Sequence, residues 1–329
     1  MTDIRELLSR IDRVKIGVIG DFCVDIYWHA DMTRSELSRE TPHFPLPVYK
    51  EQVYLGSAGN AAANIAALKP EKLFVCGIYG DDWRGALMNQ KFQEIGADTA
   101  GMICENGRLT NAYCKPIRHG MSDTVYEDPR LDFYSNTPIS ADSENRIIEE
   151  LKKMAKKVDI ICVNDQFENG VITEMVRAAV IEIARAGKAV IVDSRNNINK
   201  FSYVTVKPNE TEFCRAFGVN SLEPSQYGTY ALNFANAKHC NVLLTLGPNG
   251  SMYCDGKSVT SIPAKDRDAK GPFDICGAGD TFISAFSCIS ATGCDPIISA
   301  EVASAASAVT IKKIGVTGTA TREEIASVF

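Results

Sequence analysis

The sequence predicts an α/β fold: a mainly parallel central sheet with helices on both faces, plus a small β lid. Short continuous apolar runs alternate with longer segments of helical period, the pattern of strands covered on both sides. Two segments, about 22–55 and 108–135, interrupt that alternation. The first carries three prolines and alternating apolar residues near its end, the second is rich in Tyr, Thr and charge, and both suit extended strands outside the main sheet.

In chain order, "VKIGVIGD" (14–21) and "KLFVCGIYG" (72–80) read as buried strands. "DIICVND" (159–165), "KAVIVDS" (188–194), "YVTVKP" (203–208) and "NVLLTLG" (241–247) continue the series. Helical period runs through 143–158, 170–187 and 224–240. Polar or turn residues follow the strands at Asp21, Asp81, Asp165, Asp193, Asn209 and Gly247. Each alone is more often a helix cap, but ligands in such folds bind beyond the carboxyl ends of the strands. No repeat or flexible linker divides the chain, so residues 1–329 are expected to form one domain with the two lid segments as an excursion.

Composition narrows the function classes. The net charge is −6 and no long Lys/Arg run occurs, which argues against a nucleic-acid surface. The apolar runs are too short to span a bilayer, and the charged N-terminus lacks the core of a signal peptide. Eleven cysteines are scattered singly and four histidines lack ligand-like spacing. That points to a reducing cytoplasm rather than a disulfide framework or a zinc site. No Gly-x-x-x-x-Gly-Lys-Ser/Thr loop occurs, and the first strand ends in "GVIGD" without a dinucleotide fingerprint.

The chemistry concentrates in "FDICGAGDTFISAF" (273–286). Gly277 and Gly279 let a ligand approach the backbone, and the helix that follows presents unpaired N–H groups, together an anion site. An acid beside such a site, Asp280, suits proton removal from an attacking hydroxyl. On this stretch alone, a capped helix behind a glycine turn explains it equally well.

"DICGAGDTF" resembles the C-terminal signature of the ribokinase-like carbohydrate kinases, the PfkB family, and "GSAGNAAANIA" (56–66) resembles their N-terminal signature. "GDFCVD" (20–25), "GIYGDDWRG" (77–85), "VKPNETEF" (206–213) and "TLGPNG" (245–250) are similar to further landmarks, in order, over essentially the whole chain. Within the family, "DIYWHAD", "SRETPHFPLPV" (38–48), "RLDF" (130–133) and "KKIGVTGTATREEI" (312–325) resemble the kinase of heptose 7-phosphate. His43 where that branch has Glu, "NDQFENG" (164–170) without the branch's lysine, and a longer loop before "RLDF" depart from it on the substrate side. Ser57 and Cys276 replace a usual glycine and threonine in the two signatures.

The resemblance implies a ribokinase-like, ATP-dependent kinase. It makes Asp280 the base and the amides of Gly277, Ala278, Gly279 and Asp280 the cradle for developing negative charge. Asn209 and Glu212 are assigned to Mg2+ and phosphate through water, although the residues alone favour a capping box. Lys207, Thr245, Gly247, Gly250 and Asp274 fall to the ATP side, and Asp274 with Ile275 to a K+-binding loop found in some relatives. Asp21, Asp25, Gly56, Asn60 and Asp193 fall to the sugar, with Arg195 at its rim. Arg39, Lys115, Arg118 and Arg130, from the lid, are candidates for a phosphate already on the sugar; each alone reads as ordinary surface charge. The implied reaction is phosphorylation of D-glycero-D-manno-heptose 7-phosphate to the 1,7-bisphosphate. The alternatives are a kinase for a ketose or pentose, or a sensor of sugar or nucleotide without catalysis. A homodimer through the lid is expected, with Val48 and Val53 as contact positions.

Overall fold

The computed structural model describes residues 3–265 and 271–329. The strands are β1 (Lys15–Gly20), β2 (Phe22–Asp31), β3 (Val48–Ser57), β4 (Lys72–Gly80), β5 (Asp98–Glu105), β6 (Ala112–His119), β7 (Val125–Glu127), β8 (Leu131–Phe133), β9 (Ile160–Asp165), β10 (Ala189–Ser194), β11 (Thr205–Val206), β12 (Asn241–Thr245), β13 (Ser251–Cys254) and β14 (Val259–Ile262). The helices are α1 (Ile4–Ser9), α2 (Ala58–Ala67), α3 (Trp83–Glu94), α4 (Ala141–Ala155), α5 (Glu174–Arg185), α6 (Glu210–Ala216), α7 (Tyr227–Lys238), α8 (Ala278–Ala291), α9 (Pro296–Thr310) and α10 (Arg322–Val328).

The main sheet runs β14-β13-β12-β11-β10-β9-β1-β4-β5. Every pair from β5 to β12 is parallel, and β13 and β14 add an antiparallel edge. Successive strand residues serve opposite cores, as the pleat requires. Ile160 and Cys162 of β9 join Phe282, Ile283 and Phe286 of α8, whereas Ile161 and Val163 join Ile147 and Leu151 of α4 and Val176 and Val180 of α5. Side-chain oxygens of Asp82, Ser140 and Thr173 accept the first free amides of α3, α4 and α5 and fix where those helices begin.

Two predicted elements differ. The strand expected over 203–208 shortens to β11, because Tyr203 takes φ 63° and Pro208 lacks an amide to continue the ladder. The helix expected from 170 starts at Glu174, since the loop before it is tied to Asp21 through the Val171 amide. Among the described residues no helix is long and apolar enough to cross a membrane.

The lid is a separate sheet, β3-β2-β6-β7, with β8 also on β6. β2 is antiparallel to β3 and parallel to β6. Val24 and Ile26 of β2 are buried in the core shared with α2 and α3, and Phe22 packs edge-on against Phe92 at 5.2 Å. Asp25, Tyr27 and His29 therefore face the other way. Val48 is half exposed, but Val53, five residues on, packs against the core beside Trp28. Val53 therefore does not share an outer face with Val48, contrary to the expectation for a contact pair.

Candidate active site

A cleft of about 920 Å³ opens at the carboxyl ends of β10–β12, against the start of α8. A smaller cavity of about 300 Å³ lies at the opposite ends of the same strands, beside Ala189 and Asn241. Among the described residues no carboxylate lines it, whereas Asp193, Glu212 and Asp280 line the larger cleft.

Asp280 stands in the first turn of α8, where Gly277 is the N-cap in the left-handed region at φ 78°. A Cβ at Gly277 would lie 2.6 Å from Asn60 Nδ2, so both the turn and the approach of α2 require glycine there. The Ala278 amide is spent on the Ile275 carbonyl at 3.2 Å. Among the described residues, nothing accepts from the amides of Gly277, Gly279 and Asp280. Three of the four amides expected at this anion site are thus open.

Asn60 Nδ2 donates to Asp280 Oδ2 at 2.8 Å, and Asn164 Nδ2 lies 3.5 Å from Oδ1. Loss of hydration pushes the Asp280 carboxyl up to about 7, with repulsion from Asp193 adding to it; Asn60 and Lys207 oppose the rise. A carboxyl poised there both ionises near neutral pH and retains enough basicity to take a proton.

Lys207 Nζ lies 3.0 Å from Asp193 Oδ2, both side chains buried. Burial works against the ammonium, yet Asp193 and Glu212 hold its pKa above the ordinary lysine value. Asn209 and Glu212 form the capping box, each side chain accepting the other's amide at 2.9 Å. Burial, then Asp193, raises the Glu212 carboxyl. One of its oxygens serves the box, and among the described residues no hydrogen bond occupies the other, which suits a hydrated cation. Thr245 donates its hydroxyl to the Pro208 carbonyl at 3.3 Å, and Gly247 and Gly250 line the cleft. Asp274 accepts from the amides of Cys276 and Gly315, so its carboxylate braces the loop, while Phe273 and Ile275 line the cleft. Its lining combines the cations Arg195, Lys207 and Lys265 with apolar Ala264, Phe273, Ala308 and Ile311, a mixture that suits a nucleoside triphosphate.

Asp25 faces the same region from the lid. Thr317 donates to its Oδ2 at 3.4 Å, and burial raises its pKa despite Lys115 and Thr317. A Cβ on Gly56 would sit 2.5 Å from Asp25 Oδ1. Lys115 pairs with Tyr27 in register and donates to its hydroxyl at 2.9 Å. Arg130 stacks 4.1 Å over Tyr113 and grips Asp132 with two nitrogens. The structure does not bring Arg118 into this group. Three residues along β6 from Lys115, it takes the opposite face of the strand and pairs with Asp128 at 2.7 Å. Arg39 is exposed on the loop before β3, and Arg195 lines the cleft rim. Asp21 is 2% exposed and accepts three backbone amides, from Gln166, Phe167 and Val171. Burial pushes it up to about 6, and its carboxylate organises the 165–171 loop.

The sequence reading missed Asn164, Asn64 and Thr317. Asn164 is the penultimate residue of β9, just before Asp165, and the alternation of the strand turns it toward α8. Asn64, four residues after Asn60 in an alanine-rich helix, is the signal of a second polar group on the same face. Thr317 reaches Asp25 from 292 residues away, and no local pattern announces it.

A model described as pfkB family carbohydrate kinase matches residues 18–322. The bifunctional protein HldE of Helicobacter hepaticus is 30% identical over 315 residues, 94% of this chain and 63% of that protein. The bifunctional protein HldE of Citrifermentans bemidjiense is 30% identical over 331 residues, 99% of this chain and 66% of that protein. This chain spans less than two thirds of the length of the curated relatives it matches. Among solved structures, ribokinase of Arabidopsis thaliana complexed with ribose and ATP aligns with a TM-score of 0.70 at 19% identity, covering 96% of this chain and 98% of that one. Phosphofructokinase-2 of Escherichia coli in complex with potassium gives 0.74 at 16%, with the same coverage. At these identities the likeness is one of fold.

Proposed function

Because the chain belongs to the pfkB family of carbohydrate kinases, ATP-dependent enzymes that phosphorylate sugars, we propose that Asp280 is the base that takes the proton of the attacking sugar hydroxyl. The observation that carries this is the Asp280 carboxyl, pushed up to about 7 and held by Asn60 at a helix start with open amides. ATP with Mg2+ supplies the transferred phosphoryl group. The amides of Gly277, Gly279 and Asp280 bind negative charge there, and Lys207 faces the same place across Gly279. Glu212 and Asn209 hold the hydrated cation; Thr245, Gly247 and Gly250 bound the nucleotide. Asp274 and Ile275 belong to the loop we assign to K+.

For the acceptor we propose D-glycero-D-manno-heptose 7-phosphate, phosphorylated on its anomeric hydroxyl. The branch-like motifs and the HldE relatives support this, as does Lys115 beside Asp25. Asp25, Gly56, Asn60 and Asp193 border the sugar. A ketose or pentose without phosphate is the second reading, favoured by the pairing of Arg118 and Arg130 with carboxylates, which removes two of the four lid cations. ADP release measured over a panel of sugars and sugar phosphates decides. Highest kcat/KM with the heptose 7-phosphate is expected, and higher kcat/KM with an unphosphorylated ketose or pentose overturns it. We also propose a homodimer through the lid, whose edge strand β3 leaves Val48 and Tyr49 about half exposed, with Phe44 exposed just before it.

A further inference from the structure

Asn60 is itself held by two side chains that the reading above leaves unused. Its Oδ1 accepts from Asn64 Nδ2 at 3.0 Å, and Asn64 Oδ1 accepts from the Thr281 hydroxyl at 2.9 Å. Asn60, Asn64 and Thr281 are 2%, 2% and 1% exposed, so water does not compete for these bonds. Asn60 and Asn64 lie one turn apart on α2, and Thr281 follows Asp280 on α8. The Ser284 hydroxyl on α8 sits between the two helices, 2.9 Å from the Ala61 carbonyl and 2.7 Å from that of Asp280.

An amide side chain faces either way round unless its neighbours choose. Here a backbone group chooses. Asn64 Nδ2 also donates to the main-chain carbonyl of Asn60 at 3.0 Å, and a carbonyl can only accept. The Asn64 atom nearest Asn60 is therefore nitrogen. The Asn60 atom that meets it is oxygen, so the Asn60 nitrogen faces Asp280. The Thr281 hydroxyl closes the other end by donating to the Asn64 oxygen.

We infer that Asn64 and Thr281 are positioning residues for phosphoryl transfer: they lock the Asn60 amide nitrogen-first against Asp280 Oδ2. This rests on Asp280 being the base. Turned round, Asn60 would present its oxygen, and only a protonated Asp280 could bond it. Locked, it favours the carboxylate and leaves Oδ1, which among the described residues meets just the Asn164 amide at 3.5 Å, for the acceptor. The other groups facing Asp280 are Asp193 and Lys207 on the sheet side, Asp25 of the lid, and the thiols of Cys23, Cys162 and Cys276. None of them can set the orientation of an amide on α2.

The test is a carbon-13 NMR titration of Asp280 in the ligand-free protein, beside the pH profile of kcat and the unfolding temperature. Asn64→Ala should raise the Asp280 midpoint by about one pH unit, since the Asn60 hydrogen bond to the charged form loses its support, and Thr281→Val, which leaves the Asn60 carbonyl still holding Asn64, should raise it by a smaller, measurable amount. The acid limb of kcat should move with it, and Thr281→Ser should restore both. A midpoint that stays put while only the unfolding temperature falls overturns the inference. If Asn64→Ala does not fold, the nearly isosteric Thr281→Val decides alone. A midpoint that moves without moving the acid limb overturns the base role of Asp280 and leaves the lock standing.

Discussion

Lys207 and Asp193 meet at 3.0 Å in the floor of the cleft, one ammonium against one carboxylate, both shut away from solvent. Neither charge could stay there alone. Lys207→Met should cost about 3–5 kcal/mol, because it leaves a buried charge without its partner. The double variant Lys207→Met/Asp193→Leu should recover most of that loss in urea unfolding. A single variant that unfolds like the parent refutes the pairing as a structural requirement.

Asp280→Asn should reduce turnover by about 10²–10⁴-fold while ATP still binds, the usual worth of a positioned base. In the parent, kcat should rise with pH through about 7 as the carboxylate forms. Stability runs the other way. The folded pKa lies above the ordinary aspartate value, so the native state favours the proton. The stability this gives is complete below the unfolded pKa and is lost as pH rises through the folded one. Asp280→Asn should therefore unfold at a higher temperature than the parent at pH 8 and at the same temperature near pH 3.

The two glycines of the signature should respond differently. Gly277→Ala meets both a left-handed backbone and the Asn60 nitrogen, so it should lower both stability and turnover. At Gly279 a Cβ would find only Lys207 Nζ, at an ordinary 3.7 Å. Gly279→Ala should fold like the parent and lose turnover alone, which circular dichroism melts beside kinetics would separate.

Lys115→Met should raise KM for the acceptor by about tenfold or more and leave KM for ATP near the parent value, since a charge-assisted contact to one substrate is removed. Equal changes in both would take Lys115 out of the acceptor site.

Val48→Lys should convert a dimeric parent into monomers by charging an exposed edge strand. Light scattering reads the outcome, and a parent that is already monomeric ends the proposal. Val53 would be the wrong position, because its side chain packs against the core.

Most of this architecture is legible from period alone. β1, β4, β9, β10 and β12 are continuous apolar runs, and the structure trims each by no more than two residues. β5 was not legible, because at the edge of the sheet its residues are mostly half exposed and carry no such run. Within the site, the signature loop and the strand-end residues could be read in sequence. The facing of lid cations could have been, since Lys115 and Arg118 differ by an odd number along one strand. What could not be read is which distant groups meet. Thr317 against Asp25 and Thr281 against Asn64 are products of packing between helices and loops far apart in the chain.

The register of the lid also orders events during synthesis. β2 is an interior strand only when β6 lies beside it, and Tyr27 meets Lys115 across 88 residues of chain. Until those residues leave the ribosome, β2 has β3 alone, and a two-stranded hairpin is marginal in water. Its open edge, bordered by Val24 and Ile26, is then a template for any neighbouring nascent chain. The half of the lid that carries Asp25 and Gly56 is thus made early and secured late. Chains stalled before residue 112 should show rapid amide exchange in β2 and a tendency to co-aggregate, and both should vanish once residue 119 is clear of the exit tunnel.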